Sequence, residues 1–64
     1  MNDLKVRVHF ECQELSMKLE MLWDFLMGEK IKELPVDEQK RLMRQYGFMC
    51  AYEGVLKERM ANFK

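Results

Sequence analysis

Two long amphipathic stretches, parted by Gly28 and Pro35, occupy nearly all of this 64-residue chain. In the first, Val8, Cys12, Leu15, Leu19, Leu22 and Leu26 recur at steps of four, three, four, three and four. That spacing returns side chains to one side of an α-helix. A helix with one apolar stripe must bury it against something. Two helices folded against each other cover only the inner half of each stripe. A chain this short also has little surplus burial to set against its conformational entropy. The pattern predicts a protein that completes its fold by association, first with a second copy of itself.

The opening residues carry a competing signal. Leu4, Val6, Val8 and Phe10 alternate with Lys5, Arg7, His9 and Glu11, which is the spacing of a strand. The helical repeat is longer and already includes Val8, and no turn signal separates the two. Helix is therefore expected from about residue 3 to 27, with Asn2 or Asp3 as its N-cap. Phe10, Met17, Met21, Trp23, Phe25 and Met27 add apolar surface beyond the seam, so this helix should meet more than one neighbour.

Gly28 is expected to end it in the left-handed region open to glycine. A link over residues 28–34 follows, with room for a helical turn carrying Ile31 and Leu34. Pro35 suits the first turn of a second helix, where its missing N–H costs nothing. Asp37 and Glu38 come next, favourable against the positive helix terminus. The second helix is expected over about 35–62. Its seam reads Leu42, Gln45, Met49, Tyr52, Leu56, Arg59 and Phe63. The short link makes the helices antiparallel neighbours. The expected architecture is all-α: a single domain over 1–64, an antiparallel two-helix hairpin that dimerises into a four-helix bundle. Leu15, Leu19, Leu22, Met49 and Leu56 are the expected seam of core and dimer.

Composition excludes several classes. Lys+Arg and Asp+Glu are 11 each, a formal net charge of zero. That argues against a dedicated nucleic-acid binder and against electrostatic attachment to an anionic membrane. No apolar run approaches the ~20 residues that span a bilayer. The N-terminus lacks the apolar core of a secretion signal, and a cytoplasmic location is expected. Cys12 and Cys50 are then expected as free thiols filling small core positions. A disulfide and a metal role are the rival readings for them. His9 and Cys12 share a helical face, but nothing matches a zinc spacing. One histidine and two cysteines form no recognisable nucleophile–base set, so neither enzyme, metal nor cofactor is expected.

Several residues point instead to recognition. Gln45, Tyr52 and Arg59, on the expected seam, would need partners if buried; Glu11 and Glu14 are the expected partners of Arg59. Gly47, Ala51, Gly54 and Ala61 form a ridge of small residues that suits a close helix crossing. Lys40, Arg41 and Arg44 cluster, and intrahelical pairs on a solvated face account for them. Seven methionines and one tryptophan offer a surface that repacks against varied shapes. Arg7, Trp23, Arg44, Tyr52 and Arg59 are the candidates for partner contact.

One resemblance covers almost the whole chain. It is carried by Arg7-Val8, Glu11, Glu14-Leu15, Lys18-Leu19, Leu22, Phe25-Leu26, Leu34-Pro35, Glu38-Gln39, Leu42, Gln45, Met49, Tyr52, Val55-Leu56 and Arg59. Together they resemble short phage and prophage helical-hairpin proteins, similar to small dimeric phage inhibitors of the anti-quorum-sensing type. The resemblance implies a phage-encoded protein that blocks a host regulatory or defence protein by occupying its functional surface, in the host cytoplasm. Neither the cysteines nor the alternating start at Leu4–Phe10 belongs to that pattern. Two other readings remain open. One is an oligomeric sponge for a nucleotide or cyclic nucleotide, with Tyr52 and Arg59 stacking on the ring and holding the phosphate. The other is a small DNA-binding dimer using the Lys40–Arg44 turn.

Overall fold

A computed structural model describes residues 3–63. Helix α1 spans Asp3–Met27, a 3-10 turn spans Lys30–Glu33, and helix α2 spans Val36–Ala61. The described residues hold no strand: Leu4–Phe10 lies inside α1, and its alternation leaves Val8 buried but Leu4 and Phe10 in solvent. The expected cap at Asn2 lies outside the described residues, and Asp3 stands in the first helical turn.

The end of α1 departs from expectation. No described glycine adopts a positive φ. The Gly28 N–H instead donates to the Phe25 carbonyl at 3.2 Å, tightening the last turn. A Cβ at this position would stand 3.2 Å from the Asp24 carbonyl oxygen, so glycine serves close approach and not a left-handed twist. Pro35 sits just ahead of α2 at φ −55°, ψ 148°. Its carbonyl accepts the Gln39 N–H at 3.0 Å, and the Gln39 side chain donates to the Leu34 carbonyl at 2.8 Å. The proline therefore opens the helix from outside it.

The two helices lie side by side in a rod of 47 × 15 × 14 Å. Their core is Val8, Cys12, Leu15 and Leu19 of α1 against Leu56 of α2, with Tyr46, Met49, Cys50, Met60 and Phe63 packed around it. Leu26 and Ile31 are buried toward the link, and Leu22 is half-buried.

The α2 seam is rotated from the expected one. The half-buried and buried positions run Glu38, Gln39, Leu42, Tyr46, Met49, Cys50, Glu53, Leu56, Met60 and Phe63. Leu42, Met49, Leu56 and Phe63 are shared with the expected seam. Gln45, Tyr52 and Arg59 are replaced by the next residue in each case and are exposed. Leu15, Leu19 and Leu56, expected also to face a second copy, are buried between the two helices of one chain. Met49 of that seam is half-buried and also lines the depression on the outer side of α2. No described helix is long and apolar enough to cross a membrane.

Candidate binding faces of the hairpin

Rotation of α2 gives the hairpin two unlike lateral faces. On the first, α2 presents a depression lined by Arg41, Arg44, Gln45, Phe48, Met49 and Tyr52. All but Met49 are exposed. Phe48 is 69% exposed, the most open side chain of α2 among its large hydrophobics. The Arg41 guanidinium lies 3.4 Å from the Glu38 carboxylate, one helical turn away. The Tyr52 hydroxyl donates to the Glu11 carboxylate of α1, which turns the phenol along the edge of the hairpin. Gln45 donates to the Met49 sulfur at 3.7 Å.

Glu11 is thus engaged by Tyr52 and not by Arg59. Arg59 forms no ion pair among the described residues, whose pairs are Lys32–Glu29, Arg41–Glu38 and Lys57–Glu53. The burial cost foreseen for Gln45, Tyr52 and Arg59 does not arise, because solvent reaches all of them.

The second face is a groove between the helices, lined by Ser16, Met17, Glu20 and Trp23 of α1 and by Tyr46, Cys50 and Glu53 of α2. The Trp23 and Tyr46 rings stand 5.4 Å apart, tilted by 37°. Ser16 donates its hydroxyl proton to Glu53, and Lys57 approaches the other Glu53 oxygen at 3.6 Å. These two contacts satisfy a carboxylate held on the seam. The Tyr46 phenol is held above its ordinary pKa, first by its hydrogen bond with Cys50, then by burial and by the nearby charges of Cys50 and Glu53. Below that pKa the phenol is neutral and can act as a donor.

Nearer the open end, His9, Cys12 and Met60 line a further depression. His9 meets Phe10 edge-on at 6.2 Å. Both cysteines are free thiols. No group of three His, Cys, Asp or Glu side chains among the described residues could hold a metal ion.

Of the five residues expected to contact a partner, the structure brings two together, Arg44 and Tyr52, in one depression. Trp23 belongs to the opposite groove. Arg7 and Arg59 are exposed and line neither. Sequence reasoning missed Phe48 and the polar set Ser16, Tyr46 and Glu53. Phe48 had a signal, since it lies four residues from both Arg44 and Tyr52 and so shares their side of the helix. The small residues of α2 face open space: a Cβ on Gly47 or Gly54 would meet nothing within 4 Å. No close helix crossing occurs there within one chain.

Compared with known proteins, residues 2–62 match a family model described as Sequestin. No curated protein matches, and no solved structure matches.

Proposed function

This chain belongs to the Sequestin family, and we propose that it works by capture: a dimer of hairpins that holds a target molecule out of circulation without transforming it. Family membership supports a small binding or sequestering protein. The chemistry of the target is read from the α2 face, where Arg41 and Arg44 line one depression together with Phe48 and Tyr52. That one observation carries the reading. A guanidinium fork recognises phosphate, and aromatic faces stack on heterocycles. A ligand with both features is a nucleotide or cyclic nucleotide. No cofactor enters this action.

The resemblance to phage helical-hairpin inhibitors supports a role against the host: a phage-encoded antagonist acting in the host cytoplasm, where it removes a signal or blocks a regulator. A protein target is the second reading. It is favoured by Met17, Met21 and Met27 of α1, each more than 60% exposed, beside Trp23 at 45%. Such side chains suit a protein surface that must be covered.

A thermal-shift screen with mono-, di- and cyclic nucleotides tests the reading. A ligand that binds only the folded form raises the melting temperature. The expected outcome is a shift with at least one nucleotide, lost in Arg44→Ala and in Tyr52→Ala. If millimolar nucleotides leave the wild-type melting curve unmoved, the nucleotide reading fails and the protein target takes its place. Capture of a defined host protein from lysate, weakened by Trp23→Ala, would then be the expected result.

A further inference from the structure

We propose that a second copy of this chain seats on the α2 stripe centred on Phe48, antiparallel to the first, with Phe48 at the two-fold axis. The pairing deepens the proposed dimer and rests on that dimer, not on the identity of any ligand.

The first argument is area. The chain exposes 5317 Å², whereas a folded monomer of its 7.8 kDa mass exposes about 4,400 Å². The excess, roughly 900 Å² per chain, is close to the ~800 Å² that each partner buries in a stable interface of standard size. Phe48 at 69% exposure and Val55 at 50% are the open apolar side chains of this stripe.

The second argument is symmetry. Arg44 and Tyr52 lie four residues either side of Phe48, Arg41 and Val55 lie seven, and Asp37 and Arg59 lie eleven. Steps of that size return to one side of a helix, so these positions fall in a band about 80° wide. An antiparallel copy presents the same spacing in reverse. A two-fold interface requires a patch that matches itself in this way.

The third argument is complementarity. In this register Asp37 faces the partner's Arg59, and Arg44 lies against the ring of the partner's Tyr52. The stem of Arg41 runs along the partner's Val55, and Phe48 meets its own copy. No pair on the stripe sets like charge against like. The depression on each chain then lies against the other copy.

Sedimentation velocity up to about 100 μM, where a micromolar dimer is nearly fully formed, provides the test. The wild type is expected to be dimeric, and Phe48→Glu to raise the dissociation constant about tenfold or more. Circular dichroism should show its helices intact, because the side chain touches little within one chain. Asp37→Arg and Arg59→Asp should each weaken their own homodimer, since each sets like charges together. Mixed, these two variants are complementary at both ends and should form a heterodimer. Met17→Glu, on the α1 surface away from the stripe, should leave the dissociation constant unchanged. A monomeric wild type overturns both the dimer and this pairing. A dimeric wild type overturns the pairing alone if Phe48→Glu leaves its dissociation constant unchanged, if the mixed charge variants form no heterodimer, or if Met17→Glu breaks the dimer. Should Phe48→Glu fail to fold, the mixing experiment decides.

Discussion

Trp23 of α1 and Tyr46 of α2 meet across the hairpin with ring centroids 5.4 Å apart and planes tilted by 37°. The contact joins the two helices toward the link, four residues before the end of α1, yet it leaves the indole 45% exposed. Trp23, expected as a partner-contact residue, therefore also packs against α2 while part of its ring stays in solvent. Trp23→Ala should cost about 1–2 kcal/mol, the worth of an aromatic pair with part of a buried ring. Urea denaturation followed by circular dichroism measures it. A cost near zero would assign the indole to recognition alone.

Leu56 is fully buried, with 0% exposure, while Val55 beside it is 50% exposed. Leu56→Ala should lose about 2–4 kcal/mol, enough to unfold much of a chain this small. Val55→Ala should leave the single chain nearly unchanged and loosen the dimer. Equal destabilisation of the hairpin by both would contradict the rotation of α2.

Gly47 and Gly54 stand inside α2 with open space where a Cβ would go. Replacing each by alanine should stabilise the hairpin by up to about 1 kcal/mol, because glycine is a poor helix former. The rise in melting temperature should come without loss of the dimer. A dimer broken by Gly47→Ala or Gly54→Ala would mean that the partner packs on the small-residue ridge. Gly28→Ala should behave oppositely, since its Cβ would press on the Asp24 carbonyl at 3.2 Å.

The raised pKa of Tyr46 predicts an alkaline limb of stability. The neutral phenol is favoured in the folded state, so this contribution is complete below the ordinary tyrosine value of about 10. It is lost as pH rises through the higher folded value. Absorbance titration should show one late-ionising tyrosine, absent in Tyr46→Phe. The variant should also show a flatter decline in stability above about pH 10. Tyrosines that all ionise together at the ordinary value would remove the Cys50 hydrogen bond from the account.

The α1 seam was legible because its repeat has a single solution. Val8, Cys12, Leu15, Leu19 and Leu26 are apolar, and Glu11, Glu14, Lys18, Glu20 and Asp24 occupy the other sides. The α2 repeat has two solutions that share Leu42, Met49, Leu56 and Phe63. One adds Gln45, Tyr52 and Arg59, and the other adds Tyr46, Glu53 and Met60. Tyr46 over Gln45 and Met60 over Arg59 favour the second, and only Glu53 against Tyr52 opposes it. The fold takes Glu53 because Ser16 reaches its carboxylate from across the hairpin and Lys57 from the next turn of α2, and no local pattern announces the Ser16 contact. The depression around Phe48 was legible in part, because the four-residue spacing of Arg44, Phe48 and Tyr52 is local and their shared exposure is not. Its members come to the surface together only once α2 has turned.

The described connection between α1 and α2 is short and carries no strained φ. Closing it asks the chain to fix one compact bend, after which the helices zip along their length. All-helical topologies of this kind reach their native state in roughly microseconds to milliseconds. A capture protein with that connection would be ready almost as soon as it leaves the ribosome, and its speed of onset would be set by synthesis and encounter, not by folding.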